Sequence, residues 1–185
     1  MSSHHFVRDG QEPTLVIVSI ASASFEHTKT LLEWSPNVFV AESALETVLP
    51  WNIKIDGVLV RSSHIQEWQR ALTEQEPLKW VQYSDGSMMN ALRALAALNH
   101  DNLQTVDDVG MLPLPELQLL PCETITVIRE QKRWSLIRGE KWTKWVPAGT
   151  ALSMVWGQNE KEHTVTEQGS HTIVLPPPFW VGEAL

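Results

Sequence analysis

Three short segments hold most of the side chains capable of chemistry. Glu42 and Ser43 follow the apolar run Val38-Phe39-Val40-Ala41, and Arg61, Ser62 and Ser63 follow Gly57-Val58-Leu59-Val60. Asp85, Gly86 and Ser87 follow Leu78-Lys79-Trp80-Val81-Gln82, with Asn90 three residues further on. Carboxylates can hold a divalent cation or move a proton, whereas Arg, Ser and Asn donate to phosphate oxygens. Glu42, Ser43, Arg61, Ser62, Ser63, Asp85, Gly86 and Ser87 are therefore the candidate site residues, on loops that could converge on one crevice. No residue is assigned as a metal ligand. The competing role for Ser63, Ser84 or Asp85 is to cap the helix that follows.

Other chemistries are excluded or weakened. The chain has no Gly-x-x-x-x-Gly-Lys-Ser/Thr loop, Gly-x-Gly-x-x-Gly turn, Gly-x-Ser-x-Gly elbow or His-Glu-x-x-His helix. Its one cysteine, Cys122, excludes an intrachain disulfide framework and any multi-cysteine zinc site, and suits a reducing cytoplasm. His4-His5 is an adventitious metal-binding pair at most. With 14 Lys and Arg against 22 Asp and Glu, the net charge of −8 argues against nucleic acid as a partner. A local exception runs from Arg129 to Trp145, where Lys132, Arg133, Arg138, Lys141 and Lys144 alternate with Trp134, Trp142 and Trp145. Such a pattern fits either a ligand surface or a hairpin whose Lys and Arg stems cover packed indoles. Nine of 14 aromatic residues are Trp, so a Trp-rich surface for sugars or other ring-shaped ligands is a further reading.

The elements that position these groups read as two patterns. Thr14 to Ile20 is a continuous β-branched run, expected as a strand buried on both faces, and the longest apolar run, Leu15 to Ala23, is too short to span a bilayer. Its likeness to a signal peptide is countered by Asp9 and Glu12 beside Arg8. Strands are expected at Asn37–Ala41, 57–60, 78–82 and 103–106. Helices are expected at 25–34 (capped by Ser22 or Ser24), 43–49, 63–72 and 88–98. This alternation implies right-handed crossovers and a mainly parallel sheet. After the proline-bearing stretch 111–117 come short strand candidates at 125–129, 133–138, 142–146, 151–156, 163–166 and 171–175, a pattern that suggests an antiparallel β-sandwich. The division expected is an α/β domain over 1–118 and a β-sandwich domain over 119–185.

In a parallel sheet, ligands collect at the carboxyl ends of the strands, which is where all three segments fall. Taken together they resemble the thiamine pyrophosphokinase family. Val40-Ala41-Glu42-Ser43-Ala44-Leu45 is similar to its first element, a strand ending in Asp-Gly-Ala. Ile53-Lys54-Ile55-Asp56-Gly57-Val58-Leu59-Val60-Arg61-Ser62-Ser63-His64 is similar to its second, which ends in Gly-Asp-x-Asp-Ser. Tyr83-Ser84-Asp85-Gly86-Ser87-Met88-Met89-Asn90 is similar to its third, Tyr-Pro-Asp-Gln-x-x-Thr-Asp. The resemblance implies the α/β-plus-sandwich fold, a homodimer formed through the sandwich, thiamine or a nucleotide as ligand, and transfer of pyrophosphate from ATP to thiamine with release of AMP. Mg2+ and ATP are the cofactors it implies for an active member, with Glu42 and Asp85 at catalytic positions and Ser43, Arg61, Ser63 and Asn90 along the nucleotide cleft.

The departures fall on the implied catalytic positions. Arg61 and Ser63 replace both carboxylates of the second motif, Glu42 replaces the Asp of the first, and Asn90 replaces the last Asp of the third. Asp85 alone is unchanged. The Gly-rich stretch expected after the next strand is missing, since Val106-Asp107-Asp108-Val109-Gly110 leads directly into the linker, and the Ser-Asn pair near thiamine is absent. The leading expectation is a catalytically impaired ligand-binding or regulatory relative, cytoplasmic and without membrane partners. The alternative is an active kinase in which Glu42 and Asp85 bind metal and Arg61 contacts phosphate.

Overall fold

Thr14-Leu15-Val16-Ile17-Val18-Ser19 forms β1, and all six side chains are buried, as expected of a β-branched run with helices on both faces. The computed structural model describes residues 13–21, 25–34, 37–84, 87–98 and 102–185. Around β1 lie α1 (Phe25–Leu32), β2 (Asn37–Ala41), α2 (Glu42–Val48), β3 (Gly57–Arg61), α3 (Ile65–Ala71), β4 (Lys79–Tyr83), α4 (Met88–Ala96) and β5 (Asn102–Asp107). The second part comprises α5 (Leu114–Leu117) and β6 (Thr124–Arg129), β7 (Lys132–Ile137), β8 (Lys141–Val146), β9 (Ala151–Trp156), β10 (Asn159–Thr164), β11 (Gly169–Val174) and β12 (Phe179–Ala184).

Ten strands make one mixed sheet in the order β10-β9-β12-β7-β6-β5-β1-β2-β3-β4. From β6 through β5, β1, β2 and β3 to β4 the pairing is parallel, and from β6 through β7, β12 and β9 to β10 it is antiparallel. The main sheet thus runs on from β5 to β6 in parallel pairing, and strand direction first reverses between β6 and β7. β8 and β11 pair separately as a two-stranded antiparallel sheet.

Side-chain alternation divides the core. Leu15, Ile17, Val38, Val40, Val58 and Val60 pack with α2 and with Leu31, Ile65 and Trp68 of α1 and α3. Val16, Val18, Phe39, Leu59 and Val81 face the other way, against α4 and the linker residues Leu112, Leu117 and Leu120. Three helices on one face and the returning α4 on the other are what right-handed crossovers demand for this strand order. Leu152 of β9 buries against Val146 and Val165, with Trp142 and Ile173, which seats the small sheet on the main one. Two glycines permit close layers: a Cβ on Gly57 would meet the Phe39 ring and lie 2.7 Å from the Lys79 carbonyl, and one on Gly182 would lie 2.9 Å from the Trp134 indole.

Several expectations need correction. Ser63 does not cap α3: His64 holds the N-cap position, without a side-chain cap bond. Ser22, Ser24 and Asp85 lie outside the described residues. β12 had no counterpart in the sequence reading, yet it sits between β7 and β9 with Phe179, Trp180 and Val181 buried. β10 begins at Asn159, four residues ahead of the expected start, because Glu160, Lys161 and Glu162 look like loop. As the outer strand of the sheet it is fully exposed, and such charges protect an edge from pairing with another chain.

Candidate functional site at the carboxyl edge of the sheet

Glu42 is the first residue of α2, directly after β2, with its side chain only 6 % exposed. It lies beside Arg61 at the end of β3, which donates from Nε to Oε1. The Arg61 backbone N–H reaches Oε2 at 3.4 Å, His64 Nδ1 lies 3.1 Å from Oε2, and the Tyr83 hydroxyl at the end of β4 donates to Oε1 at 3.3 Å. Both carboxylate oxygens are thus met by donors of this chain. Burial alone would push the Glu42 carboxyl up. The side-chain and backbone hydrogen bonds of Arg61, its charge and the His64 contact outweigh that and hold it below the ordinary value of 4.5.

The remaining sequence candidates are less concentrated. The Ser43 hydroxyl donates to the Val18 carbonyl at 2.7 Å, fastening α2 to β1. Ser63 is exposed in the turn between Arg61 and α3, so it adjoins the Glu42 cluster. Asn90 is exposed on α4, where its Oδ1 accepts from Arg93 at 3.0 Å. The structure therefore brings Glu42 and Arg61 together, leaves Ser63 exposed in the turn after Arg61, and commits Ser43 and Asn90 to other bonds. His64 and Tyr83 complete the cluster and were missed as site residues. Their signal was position alone, since each lies at the carboxyl end of a strand or in the turn after it.

A second cluster occupies the switch point of the sheet, where the chain leaves β1 for β2 on one side and later returns to β5 on the other. Asp107, at the end of β5, is fully buried. Its Oδ1 accepts from Ser19 Oγ at 2.9 Å and from the Met111 N–H at 2.9 Å; its Oδ2 accepts from the Leu112 N–H at 2.8 Å and from Arg129 Nη2 at 2.6 Å. Arg129 Nη2 also donates to the Leu112 carbonyl, while its Nε is buried without a partner among the described residues. Ser19 Oγ accepts the Val109 N–H at 3.1 Å, and Asp108 Oδ2 accepts the Ala21 N–H at 2.8 Å. The segment from Asp108 to Leu112 is in this way strapped over the ends of β1 and β5. The positional rule that selects Glu42 after the second strand also selects Asp107 at the end of the fifth.

Within the basic, Trp-bearing segment Lys132, Arg138 and Lys144 make internal bonds, whereas Arg133 and Lys141 are exposed. Lys132 Nζ donates to Ser153 Oγ at 2.9 Å and to Glu162 at 3.1 Å, and Lys144 pairs with Glu183 at 2.8 Å. Arg138 donates to the carbonyls of Gln118, Leu120 and Cys122. Trp134 is buried and Trp145 is 58 % exposed.

The resemblance implies a divalent cation, and the residues present do not fit one at Glu42. Its two oxygens already receive a guanidinium, an imidazole and a phenol, and an incoming cation would have to displace Arg61 from a buried carboxylate. Among the described residues no group of three or more His, Cys, Asp or Glu side chains is arranged to hold a metal ion. No helix among them is long and apolar enough to cross a membrane.

Comparison with solved structures places the fold. The chain matches thiamine pyrophosphokinase from Bacillus subtilis with a TM-score of 0.62 and 12% identity, covering 94% of this chain and 98% of that one. It matches thiamin pyrophosphokinase from Geobacillus thermodenitrificans with a TM-score of 0.60 and 8% identity, over 93% and 97% of the two chains. The corresponding protein from Candida albicans gives 0.61 and 6% identity, over 95% and 90%. No family model matches the sequence, and no curated protein matches it by sequence. These likenesses establish a thiamine-pyrophosphokinase-like fold along almost the whole chain.

Proposed function

We propose that this protein has kept the thiamine pyrophosphokinase fold but lost magnesium-dependent pyrophosphoryl transfer, and that it acts as a ligand-binding or regulatory protein. The observation that carries the reading is the saturation of Glu42 by Arg61, His64 and Tyr83. Phosphoryl-type transfer depends almost wholly on positioning and on cations that neutralise developing charge. Here the cation beside the buried carboxylate is a fixed guanidinium belonging to the protein. The strap from Asp108 to Leu112 supports the same reading, because its backbone N–H groups at Met111 and Leu112 take up both oxygens of Asp107 at the switch point.

The test is release of AMP when the protein is incubated with ATP, Mg2+ and thiamine. The expected result is no AMP above a buffer control. Turnover that disappears in Glu42→Ala would sink the reading and favour an active kinase with a rearranged site. The proposal extends to a cytoplasmic homodimer formed through the β-sandwich half. In support, the outer face of the β8–β11 sheet presents Trp145 and Val174, 58 % and 69 % exposed, beside Thr143 and Thr172.

A further inference from the structure

A cavity of about 440 Å3 opens at the amino ends of β3 and β4, the end of the sheet opposite Glu42. It lies between residues 54–56, which lead into β3, and residues 75–79, which lead into β4. Its size falls within the range of about 300–1,000 Å3 common to small-molecule sites. The walls are tied to the sheet and to each other. The Asp56 N–H donates to the Val38 carbonyl at 2.8 Å, and Asp56 Oδ2 accepts the Val38 N–H at 2.9 Å. The Lys79 N–H donates to the Asp56 carbonyl at 3.0 Å, joining one wall to the other. Glu76 Oε2 accepts the Leu78 N–H at 2.9 Å, so its carboxylate is held by its own turn. A site shaped in advance loses less in ordering when a ligand binds.

The lining carries two unsatisfied charges of opposite sign. Lys54 Nζ lies 2.6 Å from Asp56 Oδ1, and those two offset each other. Glu76 Oε1, Lys79 Nζ and the Gln75 side-chain amide have no partner among the described residues. Buried Ile55, half-buried Leu78 and Pro77 supply the apolar part of the lining. We propose that this cavity binds a free α-amino acid with a large apolar side chain. Its ammonium group is received by Glu76, its carboxylate by Lys79 and Gln75, and its side chain by Ile55, Leu78 and Pro77. A simple anion would bring its charge against Glu76 and a simple cation against Lys79, whereas a zwitterion satisfies both with charge-assisted hydrogen bonds. The proposal goes beyond the loss of transfer and does not depend on whether Glu42 serves a metal.

The experiment is calorimetric titration of the full chain with L-phenylalanine. Saturable binding is expected with a Kd below about 1 mM. N-acetyl-L-phenylalanine amide lacks both charges and glycine lacks the apolar side chain, and each is expected to bind at least about tenfold more weakly. Glu76→Gln removes the charge but keeps an acceptor for the Leu78 N–H, and Lys79→Met keeps an exposed stem of similar length. Each is expected to weaken binding at least about fivefold while leaving Tm within about 2 °C. Should a variant fail to fold, the comparison among the three ligands still decides, because it uses the wild-type protein. No saturable heat up to about 10 mM, an acetylated amide that binds within about twofold of phenylalanine, or folded variants that bind like wild type would each overturn the proposal. AMP release reports on the Glu42 edge alone, so this proposal and the loss of transfer fail separately.

Discussion

Replacing Arg129 with Met removes one charge from the Asp107 cluster while keeping most of the side-chain volume. The ion pair spans 2.6 Å, with Asp107 fully buried and Arg129 16 % exposed. At that separation and an effective dielectric of about 20 the gross attraction is about 6 kcal/mol, much of it offset by desolvation. Breaking a buried pair costs about 3–5 kcal/mol, because the remaining charge is left uncompensated. Asp107 would keep three donors, Ser19 Oγ and the N–H groups of Met111 and Leu112, so the lower end applies. A loss of about 3 kcal/mol lowers Tm by roughly 6–12 °C in a chain of this size. Calorimetric melting of wild type and Arg129→Met measures it, and Asp107→Asn alone and combined with Arg129→Met completes a double-mutant cycle with an expected coupling of at least about 1 kcal/mol. A Tm within about 2 °C of wild type would refute the claim that this pair closes the switch point.

Three further outcomes follow from the geometry. Gly57→Ala is expected to cost about 1–3 kcal/mol by chemical denaturation, and Gly182→Ala less, since the Trp134 indole can tilt whereas the Lys79 carbonyl is fixed in the sheet. The Glu42 carboxyl titrates below 4.5, so its contribution to stability is complete above that pH and is lost as pH falls through the lowered value. Denaturation between pH 7 and pH 3 should therefore show wild type losing more stability below pH 4.5 than Glu42→Gln does. Trp145→Asp, on the exposed face of the small sheet, is expected to leave Tm within about 2 °C, as surface changes do, and, if the proposed homodimer forms there, to shift sedimentation velocity from dimer to monomer.

The parallel half was legible because its strands are apolar runs bounded by helix signals. Asn37–Ala41 lies where the sequence put it, and the other strands of that half differ by one residue at their ends. Periodicity does not say which strands share a sheet, so the continuity from β5 to β6 is visible only in the hydrogen bonds. β12 was hidden by three preceding prolines and by Gly182 and Glu183, although Gly182 is what lets Trp134 lie against the strand. At the site, the strand-end rule reached Glu42 and Arg61 individually. That they bond to each other depends on the β2–β3 pairing, which sets Ala41 opposite Leu59, so that Glu42 follows one residue and Arg61 two residues beyond that pair. The sequence displays the substitution of a carboxylate by Arg61; the structure displays where that charge goes.

The central claim, that Arg61 rather than a metal ion neutralises Glu42, is tested most directly by electron paramagnetic resonance of Mn2+ titrated with the protein. The account predicts that wild type shows no stoichiometric Mn2+ site attributable to Glu42. A site present in wild type and lost in Glu42→Gln would contradict it.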